Sequence, residues 1–142
     1  MLISAILRAK GSTVATVRPQ ASVTELLQAL SRHNIGAVVV SEDGLSIEGI
    51  VSERDVVRQL HARGPRVLEE PVSAIMTTPV RTCEPGADVH VLRKTMTEHR
   101  IRHIPVLDDG RLAGIVSIGD VVKSEIEELE MEKASLVDYL HG

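Results

Sequence analysis

The chain has 142 residues and a mass of 15.4 kDa, enough for one compact domain or two small, tightly joined ones that hold a core without staples. Hydrophobic residues are 43% and charged residues 25%, which excludes a disordered chain. Aromatic residues are 1%, a single Tyr139, which makes the core aliphatic and excludes a stacking platform for single-stranded nucleic acid. The net charge of −4 lies wholly in residues 123–142, with two Lys against six Asp or Glu, so the rest is neutral and offers no basic patch for a duplex backbone.

One cysteine, Cys83, precludes an internal disulfide and fits a reducing compartment. No apolar run approaches the ~20 residues of a membrane span. Residues 1–7 are apolar, but Arg8 and Lys10 follow them, whereas a signal peptide carries its charge ahead of the apolar stretch. The expected location is cytoplasmic, with neither membrane nor nucleic acid as partner.

An internal repeat organises the rest. At a shift of 66, Val14, Thr16, Pro19, Ala21, Val23 and Leu26 meet Val80, Thr82, Pro85, Ala87, Val89 and Leu92, and His33, Ile35, Val40, Asp43 and Gly44 meet His99, Ile101, Val106, Asp109 and Gly110. At a shift of 65, Gly-Ile-Val-Ser at 49–52 meets 114–117, and Asp-Val-Val at 55–57 meets 120–122. Together these make 18 identities in 43 aligned pairs.

In chain order, each copy predicts the same elements. Short strands at 14–17 and 80–83 end at Pro19 and Pro85. A helix follows from Ser22 or Asp88. Val23, Leu26, Leu27 and Leu30 form its apolar stripe, Val89, Leu92 and Met96 repeat it, and Ser22 with Glu25 makes a capping box. Apolar strands come next at 36–40 and 104–107. After turns at 42–44 and 108–110, second hairpin arms lie at 47–52 and 112–117. Second helices start near Glu53 and Ile118. The unit is β-α-β-β-α, and two copies packed through their sheets with pseudo-two-fold symmetry give an α/β (α+β) fold. The division is 1–66 for the first copy with an N-terminal lead-in, 67–122 for a linker and the second copy, and 123–142 for an acidic amphipathic helix. Ser-Ala-Ile-Met at 73–76 echoes Ser-Ala-Ile-Leu at 4–7, so the lead-in belongs to the repeat. In the tail, Val122, Ile126, Leu129, Leu136 and Leu140 make an apolar stripe that either docks on its own domain or forms a dimer contact.

The chemistry sits at Gly-Ile-Val-Ser-x-x-Asp, where a strand ends and a helix begins. Ser-x-x-Asp imitates a capping box. The same geometry offers free helix N–H groups to a phosphate and a short carboxylate to the two hydroxyls of a ribose. Both readings can hold at once.

The strand Thr before a Pro, then Ile-Arg-His-Ile-Pro-Val, then Gly-Ile-Val-Ser-x-x-Asp-Val-Val, in duplicate and over nearly the whole chain, resembles a tandem cystathionine β-synthase (CBS) domain pair, or Bateman module, of the stand-alone bacterial type. Val-Ser-Ala-Ile-Met-Thr at 72–77 looks like that family's linker into its second copy. The resemblance implies binding of an adenine nucleotide (AMP, ADP or ATP, with NAD or S-adenosylmethionine as further options) between the copies. It also implies a homodimer and a regulated protein partner. It carries over Thr16 and Thr82 as strand threonines, and Asp55 and Asp120 as ribose carboxylates with Ser52 and Ser117 beside them. Gly36, Ala37 and Val38, and Arg102, His103, Ile104 and Pro105, are the strands along the base. Arg54 adds a phosphate-binding guanidinium to the first copy, where the second has Gly119; Arg102 and His103 can serve either cleft. This makes the Asp55 cleft the tighter of the two. The alternative is an interaction or structural module with vestigial pockets. No cofactor is implied and no enzyme, since no nucleophile with its base and no cofactor fingerprint is present. His99 and His103 have the spacing of a helical metal pair, but 101–106 reads as loop into strand, so they do not share a face. Cys83 reads as a small buried hydrophobe.

Overall fold

The computed structural model describes residues 1–11 and 13–142. A short helix, α1 (Ile3–Lys10), opens the chain. The first repeat is β1 (Thr16–Val17), α2 (Val23–His33), β2 (Ala37–Val40), β3 (Gly49–Ser52) and α3 (Glu53–Arg63). Two 3₁₀ turns, Pro65–Glu69 and Val72–Ala74, lead to the second repeat: α4 (Val89–His99), β4 (His103–Asp108), β5 (Arg111–Ser117) and α5 (Ile118–His141). The tail is thus the direct continuation of the last helix of the repeat.

In the first sheet β2 lies between a parallel β1 and an antiparallel β3. Its four residues are β-branched or small and all buried, as a central strand covered on both faces requires. The second sheet is the β4–β5 hairpin. The strand expected at 80–83 shrinks to one parallel bridge, Cys83 to Val106, in the register of Val17 and Val40. Pro105 is the reason. It stands where the first repeat has Val39, and it has no N–H to give to the ladder, so pairing stops after one bridge. The capping box expected at Ser22 forms by half: Ser22 Oγ accepts from the Glu25 N–H at 3.1 Å.

The repeats exchange their lead-in segments. Ile3 and Ile6 of α1 lie in the second core with Val89, Leu92, Met96, Ile104, Val106, Val116 and Val121. Val72 and Ile75 of the linker lie in the first core with Val23, Leu26, Leu30, Val38, Val40 and Val51. Matching backbone bonds hold both exchanges. The Ile3 N–H donates to Ala87 at 2.9 Å and the Val72 N–H to Ala21 at 2.7 Å. Val89 donates to Met1 and Val23 to Glu70, both at 2.9 Å. Each core is therefore incomplete without a segment that precedes the other repeat.

The repeats also touch through residues in or flanking their strands. The Leu112 N–H donates to the Leu45 carbonyl at 2.7 Å, and Gly36 stands against the His103 ring. In α5, Val121 and Ser124 are buried on the second repeat, while every residue from Glu130 to Gly142 is exposed.

Candidate functional site

The two Ser-x-x-Asp segments begin α3 and α5 as full capping boxes. Ser52 Oγ accepts from the Asp55 N–H at 3.3 Å, and Asp55 Oδ2 takes the Ser52 N–H at 2.8 Å and its hydroxyl at 3.0 Å. Ser117 Oγ accepts from the Asp120 N–H at 3.2 Å, and Asp120 Oδ2 takes the Ser117 N–H at 2.9 Å. One carboxylate oxygen per site caps the helix. Oδ1 of Asp55 accepts no hydrogen bond among the described residues.

At the first copy this helix start opens on a cavity of about 550 Å³, within the size range of small-ligand sites. Gly36, Ala37, Ile50, Ser52, Glu53, Arg54, Asp55 and Arg58 line it from the first repeat, Thr77 from the linker, and residues 99–103 from the second repeat. Arg54, Arg58, Arg100 and Arg102 are all exposed, and none is in an ion pair among the described residues. They face two carboxylates, Glu53 and Asp55, which leaves an excess of positive charge. Apolar walls come from Ala37, Ile50 and Ile101.

The expected residues divide. Gly36, Ala37, Ser52, Arg54, Asp55, Arg102 and His103 line this one cavity, so Arg102 and His103 border the Asp55 cleft. Val38, Ile104 and Pro105 have buried side chains, the first two within the separate cores of the two repeats. Thr16 is half-buried on β1 outside the lining. Thr82 borders a different cavity of about 490 Å³ with Cys83, Glu84, Leu107, Asp109 and Gly110. Ser117 and Asp120 lie outside the 550 Å³ lining, and there Lys10 Nζ contacts Asp120 Oδ2 at 2.8 Å and the Ile115 carbonyl at 2.7 Å.

Sequence reasoning missed Arg58 and Arg100. Arg58 follows Arg54 by four residues on α3, a spacing that places both on one helix face and was there to be read. Arg100 ends α4 in the left-handed conformation, φ 53°, as Asn34 ends α2 at φ 51°. An arginine there gave no such signal.

Besides the Asp43 carboxyl, held low in its turn by the N–H groups of Ser46 and Leu45, three titrations are displaced. Burial, then the Lys10 ammonium, pushes the His103 imidazole below its ordinary value, so it is neutral near pH 7. Burial works to raise the Asp120 carboxyl, but hydrogen bonds from Lys10 and the Ser117 N–H outweigh it and hold it below the ordinary value. Burial raises the Cys83 thiol to about 11, which leaves it protonated and unreactive.

A model of the CBS domain matches residues 11–62 and 72–127. A mitochondrial CBS domain-containing protein of Arabidopsis thaliana is 36% identical over 85% of this chain, which spans 61% of that protein's length. A CBS domain-containing protein of Bacillus subtilis is 31% identical over 90% of this chain and 89% of its own. Among solved structures, a CBS-domain containing protein from Agrobacterium tumefaciens is 43% identical, with a TM-score of 0.85 over 88% of this chain and 99% of that one. A CBS domain protein from Pyrobaculum aerophilum complexed with AMP is 28% identical, with a TM-score of 0.74 over 84% of this chain and 89% of that one. A CBS domain pair in complex with 5′-methylthioadenosine and S-adenosyl-L-methionine is 25% identical, with a TM-score of 0.78 over 90% and 98%.

Proposed function

The chain belongs to the CBS-domain family, and from that premise we propose that it is a regulatory module that binds an adenine nucleotide in the cleft at Asp55 and relays its occupancy to a partner protein. The observation that carries this reading is the convergence of Asp55 with Arg54, Arg58, Arg100 and Arg102 on one cavity, drawn from both repeats. A phosphate there meets guanidinium groups and the N-terminus of α3 together. The uncommitted Asp55 Oδ1 suits a ribose hydroxyl, and Ala37, Ile50 and Ile101 suit a base held without aromatic stacking. The adenosine-type ligands in two of the similar structures support the same class.

Because the cleft draws on both repeats, a ligand in it ties them together. It shifts their packing only as far as it prefers one arrangement, and that shift is what a partner would read. The proposal is of a binding protein, not an enzyme. It includes a homodimer, supported by exposed Val57 and Val91 and by the uncovered tail stripe, and a cytoplasmic location, supported by the single free thiol.

A calorimetric titration with AMP, ATP, NADH and S-adenosylmethionine tests the reading. One of them binding to the wild type and lost in Asp55→Ala supports it. No binding by any favours an interaction module with vestigial pockets, for which the completed capping boxes already give Ser52, Asp55, Ser117 and Asp120 a structural purpose.

A further inference from the structure

The two lead-in segments dock alike and then part. After Ala74 the second has no further helical residue. Thr77 pairs with Ile50, its N–H donating to the Ile50 carbonyl at 2.8 Å and its carbonyl accepting from Ile50 at 3.1 Å. The first has no proline and stays helical to Lys10, whose place in the second is taken by Pro79. Gly114 admits Leu7 against β5, so the last turn of α1 lies over the end of that strand. The carbonyl of Ile115, the counterpart of Ile50, is then met by the Lys10 side chain, and the same ammonium reaches Asp120. Asp55 has no such cation among the described residues; Asp120 Oδ2 accepts from both Ser117 and Lys10. The Asp120 side chain is only 21% exposed and that of Lys10 36%, so the pair is half-buried rather than a loose surface contact.

We propose that Lys10 decides which of the two Ser-x-x-Asp helix starts takes a ligand: its ammonium sits as an internal cation on Asp120, so the chain binds one nucleotide, at Asp55, instead of two. This rests on the nucleotide reading of the first cleft. A ribose hydroxyl must donate to the carboxylate it recognises. Both carboxylates hold two donors on Oδ2, but at Asp55 both come from Ser52, while at Asp120 the second is a positively charged group. The second copy also lacks the guanidinium that would favour a nucleotide over the lysine, with Gly119 in place of Arg54. Ligand preference between the copies is thereby set in part by the segment that leads into the first of them.

The test is AMP stoichiometry by calorimetry on the full chain. Wild type is expected to bind one equivalent. Asp120→Ala is expected to keep that one equivalent. Lys10→Met, which keeps the length but removes the ammonium, is expected to bind a second equivalent that Asp120→Ala then abolishes. Lys10→Arg, which retains a cation, stays at one. Two equivalents in the wild type, or one in the wild type and still one in a folded Lys10→Met, overturns the proposal. Should Lys10→Met unfold, Lys10→Gln with the same readout takes its place. Binding only in Lys10→Met would sink the Asp55 reading and leave the role of Lys10 standing; binding in neither sinks both.

Discussion

Gly49 faces Met76 so closely that a Cβ on the glycine would lie 2.6 Å from the sulfur and 3.1 Å from the methionine Cβ. The contact is where the exchanged lead-in of the second repeat crosses the first sheet, and its counterpart is Gly114 against Leu7. The glycines are needed for close approach of another segment, not for backbone conformation.

Gly49→Ala is therefore expected to destabilise the chain by about 1–3 kcal/mol, the usual cost of overpacking a fitted core. Gly114→Ala should cost less, because the nearest obstacle there is a terminal methyl of Leu7, which can rotate away. Chemical denaturation of both variants measures the order. A larger loss at Gly114 would mean that the α1 contact is the stiffer of the two.

Much of this architecture was open to reading in the sequence. Strict spacing of Val23, Leu26 and Leu30, and the duplicated Gly-Ile-Val-Ser-x-x-Asp, sufficed for the order of the elements within the repeats apart from the strand at 80–83, but not for α1 or the 3₁₀ turns. The exchange of lead-ins was not legible. Sliding the chain against itself matches residue with residue at one offset, while the exchange pairs Met1 with Val89 and Glu70 with Val23, contacts that no self-alignment contains. The single bridge at Cys83 was legible in principle, since Pro105 announces a missing N–H. Assigning Arg102 and His103 to one cleft required the three-dimensional pairing of the repeats, because the sequence left them free to serve either. Lys10 carried no signal; its meaning depends on where α1 ends.

Recognition at the first cleft should separate by ligand part. Arg54→Ala is expected to weaken AMP about 10- to 150-fold, the worth of one charge-assisted contact, and to leave adenosine unaffected. Asp55→Ala should remove both ligands and also cost about 1 kcal/mol of stability through loss of the cap. Asp55→Asn keeps an acceptor oxygen for the cap but loses the charge, so stability should recover more than binding does. Equal affinity of wild type and Asp55→Ala for AMP would reduce this carboxylate to a helix cap.

The Lys10–Asp120 pair has an acid limit. The Asp120 carboxyl is lowered from 3.8, so its stabilising contribution is present above that value and is lost as pH falls through the lowered one. Acid unfolding of Lys10→Met should therefore begin at higher pH than that of the wild type. Because the pair is half-exposed, the difference at neutral pH should not exceed about 1 kcal/mol. Identical acid limbs would show that the ammonium does not hold Asp120 charged.

His103 couples ligand binding to protons with the opposite sign to stability. Its imidazole is lowered from 6.5, by burial first and then by Lys10. Between that lowered value and 6.5 the unfolded chain binds a proton and the folded chain does not, so the contribution of His103 to stability falls as pH drops through the window and changes no further below it. A phosphate in the cleft that His103 lines favours the imidazolium and raises its pKa. Nucleotide affinity should then rise as pH falls from about 7.5 toward 6, with proton uptake read as a calorimetric enthalpy that varies with the buffer's ionisation heat. The ligand's own phosphate loses charge near pH ~6 and works against the trend, so the readout is the difference between wild type and His103→Gln, which share that term. The wild type should gain on the variant as pH falls, and the variant should show the smaller proton uptake. Parallel pH profiles for the two proteins would place the phosphate beyond the reach of His103 and leave its charge to the arginines.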